Sequence, residues 1–535
     1  MPTLAFAADS SAASATKSVR GVTGADQDLA KAASSTFDTF TSSAKQTVQS
    51  RAAAAAGTVA AQAANPSLSL ALNGTYTSAY GLSLDTIVTS DAVALTTVIS
   101  WGDGTSSTVN STGSGTAHTT HVYAQLGTYQ ISATVTDASA NTVTNTAAAT
   151  TAGSAYTAFG PTRLLDTRDG TGAVKAKVQP YTGTRLKIAG NSGIPAGVTA
   201  VAINVTVTNA AAGGHITVYG EGDQRPTTSN VNFNPGQTVP NLVIVPVGSN
   251  GYIDLYNDGW GTVDLIGDVA GYFTRSAASG FTSLASARLV DTRDGTGTTR
   301  GQVAPGTSFP VQIAGAAGGK LPAGVKAVAL NVTVTNPRSA GYLTVYPDGQ
   351  SAPSASNVNF TEGQTIANSV ITPVGADGRI QVKNGSWTAA DVIVDVVGYY
   401  ATTSKSAYIP VEPFRQVDTR TEEWGPLTSG DYYPVVLGAD EPDITGFVLN
   451  STVTNTTGTG FLATTPDPNT LASYQNQTAV WPSRAPGSTL NWLRGQTVPN
   501  LVQATGGTTG IVDAWNISDG NADLIVDVFG FYQND

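Results

Sequence analysis

From about residue 67 onward, apolar and polar residues alternate in short runs separated by Gly, Pro, Asn, Asp and Ser. Over residues 198–209, period two sets Ala200, Ala202, Asn204, Thr206 and Thr208 on one face, and Val201, Ile203, Val205 and Val207 on the other. That alternation predicts a strand with one face in a core. Residues 93–100 and 129–136 repeat it, and the turn signals between runs predict antiparallel sheets throughout. The Ala/Ser/Thr-rich segment 9–66 differs. Leu29, Ala33, Phe37, Phe40, Ala44 and Val48 recur at helical spacing and predict one amphipathic helix over about 27–62, ended by Ala64-Asn65-Pro66. Such a helix needs a neighbour to pack on. It reads as a stalk or partly disordered linker, with a coiled-coil or anchoring segment as the alternative.

A longer period lies over the alternation. The hexapeptide RLLDTR at 163–168 returns as RLVDTR at 288–293 and as RQVDTR at 415–420. Each copy is followed by an NVTVTN-like run, a Gly-Gln-Thr turn and a closing Asp-x-x-x-Asp-Val-x-Gly-aromatic run. Copies separated by 125 and 127 residues, counted at Asp166, Asp291 and Asp418, are whole domains. The expected division is 67–152, then modules at 156–274, 280–401 and 407–535. Each module is read as a β-sandwich or jelly-roll-like unit of about seven to ten short strands. The connections at 274–280 and 401–407 are short, so neighbouring modules should touch. A cluster and a string both remain open.

Composition narrows the function classes. A net charge of −11 over 535 residues leaves no basic surface for nucleic acid or anionic lipid. No apolar run approaches the length of a membrane-spanning helix. With no cysteine, disulfides and thiolate chemistry are excluded. Residues 1–8 (MPTLAFAA) end in an Ala-x-Ala pattern and are read as the remnant of a secretory signal that begins further upstream.

Residues 67–152 carry a resemblance. Trp101-Gly102-Asp103-Gly104-Thr105, with His121-x-Tyr123, Gly127-x-Tyr129 and Val135-Thr136-Asp137, resembles the polycystic kidney disease (PKD) domain. The resemblance implies an immunoglobulin-like β-sandwich acting as an extracellular spacer or contact module, without catalysis. Residues 156–533 are similar to the LLDTR-type repeat modules of secreted actinobacterial proteins, which implies secretion more than mechanism.

The hexapeptide and the closing run set charges into apolar surroundings in a chain that is only 12% charged. Arg163, Asp166, Arg168, Asp264 and Asp268 in the first copy correspond to Arg288, Asp291, Arg293, Asp391 and Asp395, and to Arg415, Asp418, Arg420, Asp523 and Asp527. Charges in apolar surroundings must be paired, and the Arg fork suits a carboxylate. These residues are expected to clip the first strand of each module to its last. A glycosidase-like reading fits poorly, because two Asp four residues apart on a strand lie about 13 Å apart at Cα. Neighbouring Arg would also lower their pKa values, the wrong direction for a general acid.

Ligand chemistry is sought instead in the loops. Asn230, Asn232, Phe233, Gln237 and Asn241 recur as Asn357, Asn359, Phe360, Gln364 and Asn368, and partly as Asn491, Trp492, Gln496 and Asn500. Amides beside an aromatic ring suit a sugar subsite, and equally suit the Asx-turns of a long hairpin. The Asn/Thr face of the NVTVTN strand is either solvated or a platform for a polysaccharide or another module. The third copy departs from the others, and its Trp424, Trp481, Trp492 and Trp515 make it the favoured single binding module. Three histidines and no cysteine give no metal site, no nucleophile elbow is present, and no catalytic residue is assigned. No cofactor is expected; calcium at the Asp169-Gly-Thr-Gly and Asp294-Gly-Thr-Gly loops is the open alternative. The expected function is a secreted or cell-surface, non-catalytic adhesion protein that binds an extracellular polysaccharide or a cell-surface protein. A structural subunit of a surface layer and an accessory part of a polysaccharide hydrolase are the alternatives.

Overall fold

A computed structural model describes residues 37, 39–47, 65–421, 425–439, 441–484 and 487–535. Residues 1–8, read as a signal remnant, most of the 27–62 segment read as a helix, and Trp424 lie outside the described residues. The protein is all-β, as the alternation predicts. Where the described residues enter the expected helix, they are extended: Thr39–Thr41 and Gln46–Thr47 pair antiparallel with Ser69–Tyr76. The reason is tertiary. Phe40 lies across the bare backbone of Gly74 and against the Tyr76 ring, with centroids 5.5 Å apart, and Asn145 Nδ2 donates to Ser42 Oγ and the Ala44 carbonyl. Packing on an existing sheet outweighs a weak helical periodicity. Among the described residues no helix is long and apolar enough to cross a membrane.

The first sandwich packs a five-stranded sheet on a four-stranded one. Buried Trp101 sits at its centre, with His121 stacked on the indole at 4.6 Å and Tyr123 Oη donating to the Trp101 carbonyl. This sandwich docks on the end of the third module. The Ala79 N–H donates to Gln533 Oε1 and the Tyr80 N–H to Asp535 Oδ2, and the two cores are continuous.

Each repeat contains eight strands in two four-stranded antiparallel sheets, with the same order in all three. In the first module the inner sheet runs Ala155–Asp166, Asp264–Thr274, Val198–Thr208, Val239–Pro246. The outer sheet runs Thr182–Lys187, Tyr252–Asn257, Gly214–Gly220, Val231–Phe233. Opening and closing strands are therefore direct neighbours, paired as Ala155–Asp166 with Asp264–Thr274, Gly280–Asp291 with Asp391–Ala401, and Ala407–Asp418 with Asp523–Gln533.

The inner sheets are buried on both sides. Val201, Ile203, Val205 and Val207 fill the first module's own core, while Ala200 and Ala202 face the other modules in a separate cluster with Ala327, Ala329, Val448 and aromatic rings. The arrangement is cyclic. Tyr156 of the first module stacks on Tyr400 of the second at 4.1 Å, Phe281 of the second on Tyr532 of the third at 4.2 Å, and Tyr408 of the third meets Phe273 of the first at 4.7 Å. Strand beginnings close the same cycle through the bridges Tyr156–Ser279, Phe281–Ser406 and Ser154–Tyr408. The modules form a pseudo-threefold cluster. Small Ala side chains let three sheets approach one axis, and the closing-run glycines make room for the rings: a Cβ on Gly271 would lie 2.2 Å from Tyr156, and one on Gly398 2.3 Å from Phe281.

Candidate functional site

The hexapeptide lies against the closing strand. Arg163 stands opposite Asp268 in register and holds it with both arms, Nε to Oδ1 at 2.9 Å and Nη2 to Oδ2 at 3.1 Å. Arg168 holds Asp166 in the same bidentate way, at 2.8 and 2.6 Å, and Arg163 Nη1 reaches Asp166 at 3.5 Å. Arg288, Asp291, Arg293 and Asp395 repeat this geometry, as do Arg415, Asp418, Arg420 and Asp527.

Asp264, Asp391 and Asp523 differ from the expected ion-pair set. Asp264 accepts from Thr167 Oγ1 and Asn209 Nδ2, Asp391 from Thr292 and Asn336, and Asp523 from Thr419 and Asn455; Lys177 Nζ stands 3.9 Å from Asp264. The second guanidinium of each hexapeptide is already folded back on its own Asp, which leaves these carboxylates to Thr and Asn donors. The expected pKa direction also divides. Hydrogen bonds from Arg168 hold Asp166 below the ordinary range, and those from Arg420 do the same for Asp418. Burial pushes Asp268, Asp395 and Asp527 up, and the paired Arg only partly offsets it.

The loop asparagines meet the NVTVTN face of a neighbouring module. Asn204 Nδ2 donates to the Ser356 carbonyl, Asn331 Nδ2 to Ser488 and Asn450 Nδ2 to Ser229. Asn368 Nδ2 donates in turn to Asn204 Oδ1, Asn500 Nδ2 to Asn331 Oδ1 and Asn241 Nδ2 to Asn450 Oδ1, each at 3.0 Å. Six asparagines thus close a ring through all three modules, first to second, second to third and third to first. The NVTVTN face is neither solvated nor open to a polysaccharide, since Asn204, Asn331 and Asn450 are buried against the next module. Asn230 and Asn357 are buried too and accept from the Val218 and Val345 N–H groups. Phe233, Phe360 and Trp492 are core residues. Asn232 and Asn359 each accept from the Ser three residues earlier, and Asn491 leaves its Oδ1 buried without a donor.

What opens to solvent from this set is the Gly-Gln-Thr turns. Gln237, Gln364 and Gln496 line one cleft of about 770 Å³ at the junction of the three modules. Each Oε1 caps its own turn by accepting a backbone N–H, from Asn234, Thr361 and Leu493 respectively. Each Nε2 is left for solvent or a ligand. The second module adds Tyr342 and Trp387, which is 90% exposed. The sequence reading missed both aromatics, although a Trp in the Gly385-Ser386-Trp387 turn has no strand neighbour to bury it. Among the described residues Glu362 is the one carboxylate in the lining, and no Lys, Arg or His contributes. Among the described residues the favoured third module contributes less than expected: Trp492 and Trp515 are buried, Trp481 is 42% exposed, and the widest-open indoles are Trp260 and Trp387 in the first two.

Asp169 and Asp294 use Oδ1 to accept a Thr N–H within their own turns. Among the described residues no group of three or more His, Cys, Asp or Glu could hold a metal ion.

No family model and no curated protein matches the chain. Among solved structures it is similar to the SGBP-B protein of the Bacteroides ovatus mixed-linkage glucan utilization locus, solved in complex with a mixed-linkage heptasaccharide. The identity is 13%, 84% of this chain and 92% of that one are covered, and the TM-score is 0.12, too low for anything about this chain to rest on it.

Proposed function

We propose that the chain is an extracellular, non-catalytic binding protein whose three fused β-sandwich modules present a single carbohydrate cleft. Residues 67–152, read as a PKD-like domain, hold that cleft at a fixed distance from whatever precedes them, and the modules are of the LLDTR type. The observation that carries this reading is the cleft itself. Three uncommitted amide donors, Gln237, Gln364 and Gln496, surround an open indole, Trp387, with Tyr342 beside it. Planar hydrogen bonding beside an aromatic face is what a sugar ring requires. With Glu362 as the sole charge among the described lining residues and a net charge of −11 on the chain, neutral glycans are favoured over uronic-acid or phosphate polymers. Catalysis is not supported by the recurring Asp residues, which are held by Arg, Thr and Asn donors and do not line the cleft.

Calorimetric titration of the full chain with neutral and acidic polysaccharides tests the reading. Binding is expected from the neutral set, and Trp387→Ala should weaken it about tenfold, equivalent to about 1.4 kcal/mol. Trp260→Ala, at the equivalent position outside the cleft, should leave it unchanged. Absence of binding to every neutral polysaccharide, or equal loss in both variants, would sink the proposal.

A further inference from the structure

The third module carries an elaboration on its outer sheet that the other two lack. Between Pro466 and Leu490 it has 23 residues, where the first two modules have 10 each between the corresponding strands. The described part of this segment forms the short helix Leu471–Gln475 and lies across the outer sheet. Tyr474 packs with Val436 and Ile511, and Trp481 meets Tyr432 at 4.9 Å and Trp515 at 5.8 Å, each edge to face. The corresponding faces of the first two modules are partly open, at Tyr252, Asp254 and Tyr256 and at Arg379, Gln381 and Lys383.

Under this cover two carboxyl groups face one another, Asp467 at 3% exposure and Asp513 at 0%. Their hydrogen bonding is lopsided. Asp467 Oδ1 accepts from the Asn469 N–H at 2.7 Å and from Asn469 Nδ2 at 2.8 Å, and Oδ2 accepts from Tyr474 Oη. Neither oxygen of Asp513 has a donor. A dry, ionised carboxylate without donors, set against a second carboxylate, is not tolerable.

The molecule contains its own comparison. In the second module Gln381 occupies the register position of Asp513, Asp348 follows Pro347 as Asp467 follows Pro466, and Gln381 Nε2 donates to Asp348 Oδ1 at 3.0 Å. In the first module the corresponding pair is Asp254 and Glu221. There Asp254 is partly exposed, and Arg185 Nη1 binds Glu221 at 2.9 Å. One module meets the demand with an amide donor, another with a cation and water. The third has neither, so its donor has to be a proton.

We propose that Asp513 is protonated at neutral pH and donates to Asp467, and that this acid–carboxylate pair is a latch holding residues 467–484 over the aromatic face of the third module until alkali opens it. Burial pushes the Asp513 carboxyl up to about 10, and the Asp467 charge adds to the effect. The titratable groups facing the pair are Tyr474 from the covering segment and Tyr432 from the strand Tyr432–Val436; among the described residues no Lys or Arg acts on Asp513. Burial raises Tyr432 to about 12 and Tyr474 further still, so Asp513 loses its proton first. A carboxyl raised above its unfolded value stabilises fully below that value, and the contribution is lost as pH rises through the folded one. Opening the latch uncovers Tyr432 and Trp515.

The test uses the full chain and the variants Asp513→Asn and Asp467→Asn, either of which supplies an amide donor in place of the proton. A wild-type minus D513N infrared difference spectrum at neutral pH should contain the carbonyl band of a protonated carboxylic acid. Acrylamide quenching of Trp481, taken as the difference between wild type and Trp481→Phe, should rise with a midpoint near pH 10. In D513N the alkaline step should vanish, in D467N it should move to lower pH because burial still raises Asp513 while the Asp467 charge is gone, and the melting temperature of wild type should fall relative to D513N as pH rises from 4 to 10. Absence of the infrared band, or an alkaline step in D513N equal to that of wild type, or an unshifted midpoint in D467N, would overturn the latch. Should D513N fail to fold, the carbonyl band lost between neutral and alkaline wild type, and the midpoint shift in D467N, decide alone.

Discussion

Arg163 and Arg168 share the Asp166 carboxylate, but only Arg163 also reaches the closing strand. Its counterpart Arg288 has a side chain 26% exposed, while its partner Asp395 is 2% exposed. Removing the Arg leaves a buried carboxylate uncompensated. Arg288→Ala should therefore lower stability by about 3–5 kcal/mol, checked by urea unfolding. Arg293→Ala should cost less, because its side chain is 48% exposed and screened by solvent.

The opposed pKa directions give a second residue-scale prediction. Asp166 and Asp418 are held low by Arg hydrogen bonds, so their stabilisation is present above the unfolded value of 3.8 and is lost as pH falls through the lowered folded value. Asp268, Asp395 and Asp527 are raised, chiefly by burial, so their contribution is full below 3.8 and declines as pH rises through the raised value. Carboxyl-carbon NMR on acidification should show the second group protonating before the first. The reverse order would mean that Arg pairing outweighs burial at the closing strand.

The NVTVTN strand is an element whose last residue matters as much as its alternation. Asn209, Asn336 and Asn455 adopt left-handed backbone, with φ of 51°, 51° and 50°, and donate to Asp264, Asp391 and Asp523. Asn tolerates this conformation better than most side chains. Asn336→Ala should destabilise by about 2–4 kcal/mol, combining backbone strain with the loss of a hydrogen bond to a charged group. Asn336→Gly should recover the backbone part, about 1–2 kcal/mol, in the same unfolding measurement. Strand positions were legible here because a half-buried strand has period two. The expected helix around Phe40 was not, since a few apolar residues at helical spacing do not record that Gly74 offers a bare backbone to pack on.

At the scale of the whole molecule, the three modules share one interior. Phe281, Ala327, Ala329 and Tyr400 belong to the axial cluster together with Tyr408, Val448, Leu501 and Tyr532 of the third module. A chain ending after residue 401 would expose that apolar face. It should elute as oligomers or aggregate in size-exclusion chromatography, whereas independent beads on a string would leave it monomeric. The asparagine ring and the aromatic cycle are the same contact made three times, so opening one junction strains the other two. A rigid cluster also suits a cleft to which all three modules contribute, because any relative motion would separate Gln237, Gln364 and Gln496.

By itself the sequence determined the fold class, the number of modules, the pairing of charged hexapeptides with closing runs, and the aromatic and amide composition of the loops. These follow from local periodicity and from charge that must be neutralised, and both are written into neighbouring residues. Tertiary structure alone decided that Asn204 faces Asn368 of the next module, that Phe233 is core while Trp387 is open, and that Asp513 meets Asp467 without a donor. An amide beside an aromatic ring has the same composition whether it binds a sugar or a neighbouring module. Which surface covers it depends on how three sheets meet at one axis, and no single strand encodes that.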